Sequence, residues 1–129
     1  MKVSTTDPEK LAHELGVTIF EHDTGEKGRY YGYGIISLRR GLGYRARRCT
    51  LAHELAHYIL DHNPRATGWW KERQENAADQ WAADLLITPE RYRDAENTHG
   101  PHSGAIALEL GVTTHVINTW RNHYQRKTA

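Results

Sequence analysis

Thr50-Leu51-Ala52-His53-Glu54-Leu55-Ala56-His57-Tyr58-Ile59-Leu60 is the stretch whose reading decides the fold. It contains neither glycine nor proline and reads as one helix from about Cys49 to His62. Residues four apart on a helix lie about 40° apart around the axis, so His53 and His57 share a face. Two imidazoles so placed can reach one metal ion, and Glu54 beside the first can act on a water held there.

A catalytic zinc site takes three protein ligands and leaves one position open. The stretch from Asn63 to about Trp70 is rich in turn formers (Asn63-Pro64, Gly68) and reads as a loop. A second amphipathic helix follows, with Trp81, Ala82, Leu85 and Leu86 as its apolar stripe. Its first turns carry Glu75 and Asp79, four apart and so on one face. That spacing suits a His-His-Glu site: Glu75 completes the ligand set and Asp79 accepts the free N–H of a ligand histidine. The plain alternative is a pair of solvated charges on a surface helix.

Thr50–Leu60, followed by Glu75-Asn76-Ala77-Ala78-Asp79-Gln80-Trp81-Ala82-Ala83-Asp84-Leu85-Leu86-Ile87-Thr88-Pro89, resembles the ImmA/IrrE family of small metallopeptidases. That family pairs a T-L-A-H-E-L-x-H-type helix with an E-x-x-A-(D/N)-x-(F/W)-A-x-x-L-L-x-P segment. The resemblance is dense over Thr50–Pro89 and loose outside it. It implies His53, His57 and Glu75 as ligands of Zn²⁺ and Glu54 as general base. Trp81 stands where an aromatic, often Phe, is expected, and Ile87-Thr88 replaces the commoner Met before Pro89; neither touches a ligand position. Many members belong to phages and mobile elements, where they act on a repressor or regulate transcription. The expectation is a zinc-dependent endopeptidase, a hydrolase cutting a peptide bond in such a regulator.

With 129 residues the chain has the size of one domain, and a formal net charge of +1 argues neither for nor against a polyanionic partner. The single cysteine, Cys49, excludes an internal disulfide framework and fits a reducing compartment. It is read as a buried structural thiol, since a ligand set is complete without it. No apolar run approaches the ~18 residues of a membrane span, and the N-terminus lacks a signal-peptide core. A cytoplasmic protein with no membrane partner is expected.

Ahead of the motif, Asp7-Pro8-Glu9 caps and starts a helix near residues 8–15, with Gly16 at its end. Val17-Thr18-Ile19-Phe20 reads as a strand, Asp23 to Gly28 as a loop, and Gly34-Ile35-Ile36-Ser37-Leu38, after Arg29–Tyr33, as the next strand. Two or three short antiparallel strands before the histidine helix suit a minimal zincin-like fold of the α+β class, mostly helical. An edge strand beside the metal can pair with an extended substrate. One domain over residues 1–129 is the simplest reading.

Arg39, Arg40, Arg45, Arg47 and Arg48 either contact nucleic acid or an acidic partner, or form a solvated loop and helix start whose arginine stems cover core edges, the second being preferred. Tyr30, Tyr31, Tyr33 and Tyr44 are read as packing residues. His62 lies five residues beyond His57, about 140° off its face, and is read as a C-terminal helix cap.

Residues 103–125 form a helical pair with a helix-turn-helix layout. Ala107 lies at the crossing, Gly111 makes the turn and Thr113 caps the second helix, while Val112, Ile117 and Trp120 fill the wedge. Thr114, His115, Asn118, Thr119, Arg121 and Asn122 are expected to be exposed, which leaves DNA contact through 113–124 open. The competing functions are a DNA-binding regulator with a structural or inactive metal site, and an antitoxin or interaction module on a peptidase fold. Glu54 favours the enzyme, because a structural site needs no base between its histidines.

Overall fold

The computed structural model describes residues 5–128, with side chains along the last helix described as far as Tyr124. Helix α1 (Pro8–Leu15) starts where Asp7 accepts the amide of Glu9 at 3.0 Å and stops at Gly16 in the left-handed region, φ 72°. Strands β1 (Thr18–His22), β2 (Gly28–Gly32) and β3 (Ile35–Arg39) follow, then helices α2 (Tyr44–Ile59), α3 (Gly68–Leu86), α4 (Pro89–His99), α5 (Ser103–Leu110) and α6 (Thr114–Thr128). The class is α+β and mostly helical, as expected.

The sheet is mixed, which corrects the expectation of a wholly antiparallel one. Its order is β1-β3-β2, with β3 antiparallel to β2 and parallel to β1. The tight turn at Gly32-Tyr33-Gly34, all three at positive φ, folds β3 back on β2. β3 then occupies the slot beside β1, so β1 and β3 run the same way. The connection from β1 to β2 is held by Arg39 donating to the Gly25 carbonyl at 2.8 Å, by an ion pair of Arg40 with Asp23, and by His22 Nε2 at 2.6 Å from the Glu26 carbonyl. β2 is left as the edge that faces α2.

Helix α2 is the centre of the molecule and packs against α1, β2, β3 and α3. Leu51, Ala52, Leu55 and Ala56 are fully buried, as a helix enclosed on several sides requires. It begins five residues before the expected Cys49. Its first turns are fixed from outside: Arg47 pairs with Glu9, while Arg45 and Arg48 donate to the carbonyls of Val112, Leu110 and Gly111. Those carbonyls end α5, where a cation offsets the negative pole of the helix dipole. All five arginines of the cluster are therefore engaged within the chain. Cys49 is buried and accepts the amide of Thr113 at 3.4 Å, and burial pushes its thiol pKa up.

Helix α3 begins at Gly68, so Trp69 and Trp70 belong to it and not to the preceding loop. Glu75 and Asp79 accordingly sit in its middle turns, which corrects their placement in its first ones. Sequence reading assigned nothing to α4, whose start Thr88 caps by accepting the amide of Arg91. α5 and α6 form the expected pair about Gly111 at φ 70°, with Thr113 Oγ1 accepting the Val116 amide and Ala107, Val112, Ile117 and Trp120 buried. The pair docks through α4 and α3. No helix among the described residues is long and apolar enough to cross a membrane.

Candidate metal centre

His53 and His57, one turn apart on α2, face Glu75 of α3. Their donor atoms converge: His53 Nε2 lies 3.2 Å from His57 Nε2 and 3.4 Å from Glu75 Oε2, and His57 Nε2 lies 2.6 Å from the same oxygen. Ligand bonds of about 2.0 Å in a tetrahedral arrangement put donor atoms about 3.3 Å apart. Two of the three separations match that edge, and the third is the length of a charge-assisted hydrogen bond. Two imidazoles and one carboxylate are a donor set that zinc accepts, so the three residues fit the ion.

Asp79 lies one turn beyond Glu75 and bridges two histidines. Its Oδ1 is 2.8 Å from His53 Nδ1 and its Oδ2 is 3.1 Å from His115 Nε2. The first contact leaves His53 Nε2 free to face the convergence point. Burial works against charge on His53, but hydrogen bonds to Asp79 and Glu75 and the field of Glu54 outweigh it and raise its pKa to about 10. Hydrogen bonds from His53 and His57 hold Glu75 well below the usual carboxylate range. Burial opposes the charge of Asp79 too, and its contacts with His53 and His115 reverse the outcome and lower its pKa.

Glu54 does not join the convergent set. It is 7% exposed, and burial raises its carboxyl pKa against the pull of His53 and His57. Gly28, the first residue of β2, lies directly over it: a Cβ there would come within 2.6 Å of Glu54 Oε2 and 2.5 Å of Thr50 Cγ2. Glycine is what allows the edge strand to approach the histidine helix this closely.

Two clefts meet at Glu54. One of about 500 Å³ runs between β2 and the segment from His62 to Gln74, and includes His57, Glu75, Arg65 and Lys71. The other, of about 300 Å³, runs between α2, α3 and α6, and includes His53, Asp79, Thr113 and His115. Tyr30 of β2 stacks on the His57 ring at 5.9 Å and 16°. Tyr33, in contrast, is wholly exposed and takes no part.

Sequence reasoning placed His53, Glu54, His57, Glu75 and Asp79 in this neighbourhood, and the fold brings all five together. It missed Gly28, for which no local signal exists, since the constraint arises only when β2 meets α2. It read His115 as solvent-facing, whereas the ring, though mostly exposed, bonds Asp79. Arg121, also expected outside, donates to Tyr92 Oη, Ser103 Oγ and the Pro101 carbonyl. It read His62 only as a helix cap, but its ring lies against His57, Nδ1 to Nδ1, at 2.8 Å. Burial and the neighbouring His57 lower the His62 pKa.

A histidine helix under an edge strand, with a carboxylate supplied by the next helix, provides the three donors of an open metal site. The sequence model of Peptidase_M78, the IrrE N-terminal-like domain, matches residues 12–119, and the chain belongs to that family of metallopeptidases. No curated protein matches it.

Proposed function

We propose that the chain is a zinc endopeptidase whose metal is held by His53 Nε2, His57 Nε2 and Glu75, with Glu54 as general base and Asp79 orienting His53. The observation that carries this reading is the convergence of three donor atoms beside a buried, separate carboxylate at the junction of two clefts. Zinc in this site supplies Lewis acidity, lowering the pKa of water toward neutrality and polarising a carbonyl. Glu54 takes a proton from the attacking water and passes it to the leaving amine. Burial raises the pKa of Glu54, which makes it a stronger base than a solvated carboxylate and so better suited to take that proton. An extended peptide pairs with the open edge of β2, its two sides running into the two clefts.

The substrate in this reading is a regulatory protein, a phage or mobile-element repressor, met in the cytoplasm by a chain that works as one domain over residues 1–129. The DNA-binding alternative asks α6 to present its polar face. Arg121 is instead tied to Tyr92, Ser103 and the Pro101 carbonyl, which favours a buttressing role for α5 and α6. The test is incubation of the zinc-loaded chain with repressors encoded in its genomic neighbourhood, fragments being read by mass spectrometry. Glu54→Gln should keep zinc and lose at least about 10²-fold in cleavage rate. Cleavage by Glu54→Gln at the parent's rate refutes the mechanism.

A further inference from the structure

Helix α2 ends in a way that returns the chain onto its own metal face. Asp61 adopts φ 54°, its amide donates to the Tyr58 carbonyl at 3.2 Å, and the His62 amide donates to the His57 carbonyl at 2.9 Å. This pair of bonds is a Schellman motif, in which the residue two beyond the cap commonly packs on the residue three before it. Here those two residues are His62 and His57, and they meet Nδ1 to Nδ1 at 2.8 Å with ring centroids 5.1 Å apart.

An imidazole that gives its Nε2 lone pair to a metal carries its proton on Nδ1. Of two facing Nδ1 atoms at hydrogen-bond distance, one donates and the other accepts. With His57 as ligand the donor is His57, so His62 accepts at Nδ1 and holds its own proton on Nε2. We infer that His62 is the positioning residue of His57: it accepts the Nδ1–H of that ring, fixes its tautomer and angle for metal binding, and becomes a hydrogen-bond donor along the wall of the larger cleft. The inference rests on the proposed ligand set. The two histidines then have unlike supports, His53 a carboxylate from α3 and His57 a neutral ring from its own helix end. His62 lines the cleft with His57 and Glu75, so its Nε2–H is offered where a substrate carbonyl would lie.

The full chain, stripped of metal, is titrated with zinc against a chelator of known affinity. His62→Leu, which removes the acceptor, should bind zinc about 10- to 100-fold more weakly. His62→Asn places an amide oxygen near the Nδ1 position and should recover most of that loss, which a merely space-filling role would not predict. In the zinc-loaded parent, the His57 Nδ1 proton should exchange slowly and show nitrogen coupling across the bond to His62 Nδ1. A parent that binds zinc while His62→Leu binds it equally well, or while that coupling is absent, overturns the inference and leaves the ligand set standing. A parent that takes up no zinc overturns the ligand set, and the role of His62 with it.

Discussion

Zinc affinity should depend steeply on pH, because a proton and the metal compete for one nitrogen. Without metal, His53 titrates at about 10 against an ordinary 6.5, held there by Asp79 and Glu75 despite its burial. At pH 7.5 its protonated form therefore predominates over the neutral one. Zinc needs the neutral ring, so binding releases about one proton from this group, and affinity rises about tenfold per pH unit below pH 10. Between pH 6.5 and 8.5 the zinc dissociation constant should fall about 100-fold. The metal-free fold follows the opposite sign. Its folded-state pKa lies above the unfolded value, so the charged His53 contributes its full stabilisation below pH 6.5, and that contribution is lost as pH rises through about 10. Calorimetry in two buffers of different ionisation enthalpy counts the released protons, and chelator competition at three pH values gives the slope. A dissociation constant unchanged from pH 6.5 to 8.5, with no proton released, refutes the assignment of His53 as a ligand displaced from its ion pair.

Three further substitutions probe the parts of the fold around the site and its supporting helices. Gly28→Ala pushes a methyl group against the Glu54 carboxylate, so it should lower peptide hydrolysis at least about tenfold while zinc content is unchanged, read by metal analysis beside the cleavage assay. Trp120 is 5% exposed between the rings of Tyr92 and Tyr124, so Trp120→Ala should lose roughly 3–5 kcal/mol in urea unfolding, whereas Asn118→Ala, on the outer face, should change stability by less than about 0.5 kcal/mol. A salt-sensitive, sequence-specific shift of duplex DNA, lost in Asn118→Ala, would count against the buttress reading.

Local signals read correctly where the chain's own chemistry decides the outcome. Asp7-Pro8-Glu9 and Gly16 bound α1 because a cap and a left-handed glycine act within a few residues. Thr88-Pro89-Glu90 carries the same signal for α4 and was available to the same reasoning. The histidine and carboxylate spacings on α2 and α3 were legible because helical periodicity alone sets which residues share a face. What was not legible depends on contacts between distant segments. The early start of α2 rests on carbonyls of Leu110, Gly111 and Val112, and the parallel pairing of β1 with β3 on where the hairpin settles. The roles of Gly28 and His115 likewise appear only once β2 and α6 close on the site, whereas that of His62 turns on the left-handed Asp61 that ends α2.

Metal stoichiometry of the purified chain tests the central claim most directly. The parent should carry about one zinc per chain and Glu54→Gln about one, whereas His53→Ala and Glu75→Ala should lose most of theirs after the same dialysis. Full occupancy in His53→Ala and Glu75→Ala, or loss of zinc in Glu54→Gln, would contradict the account.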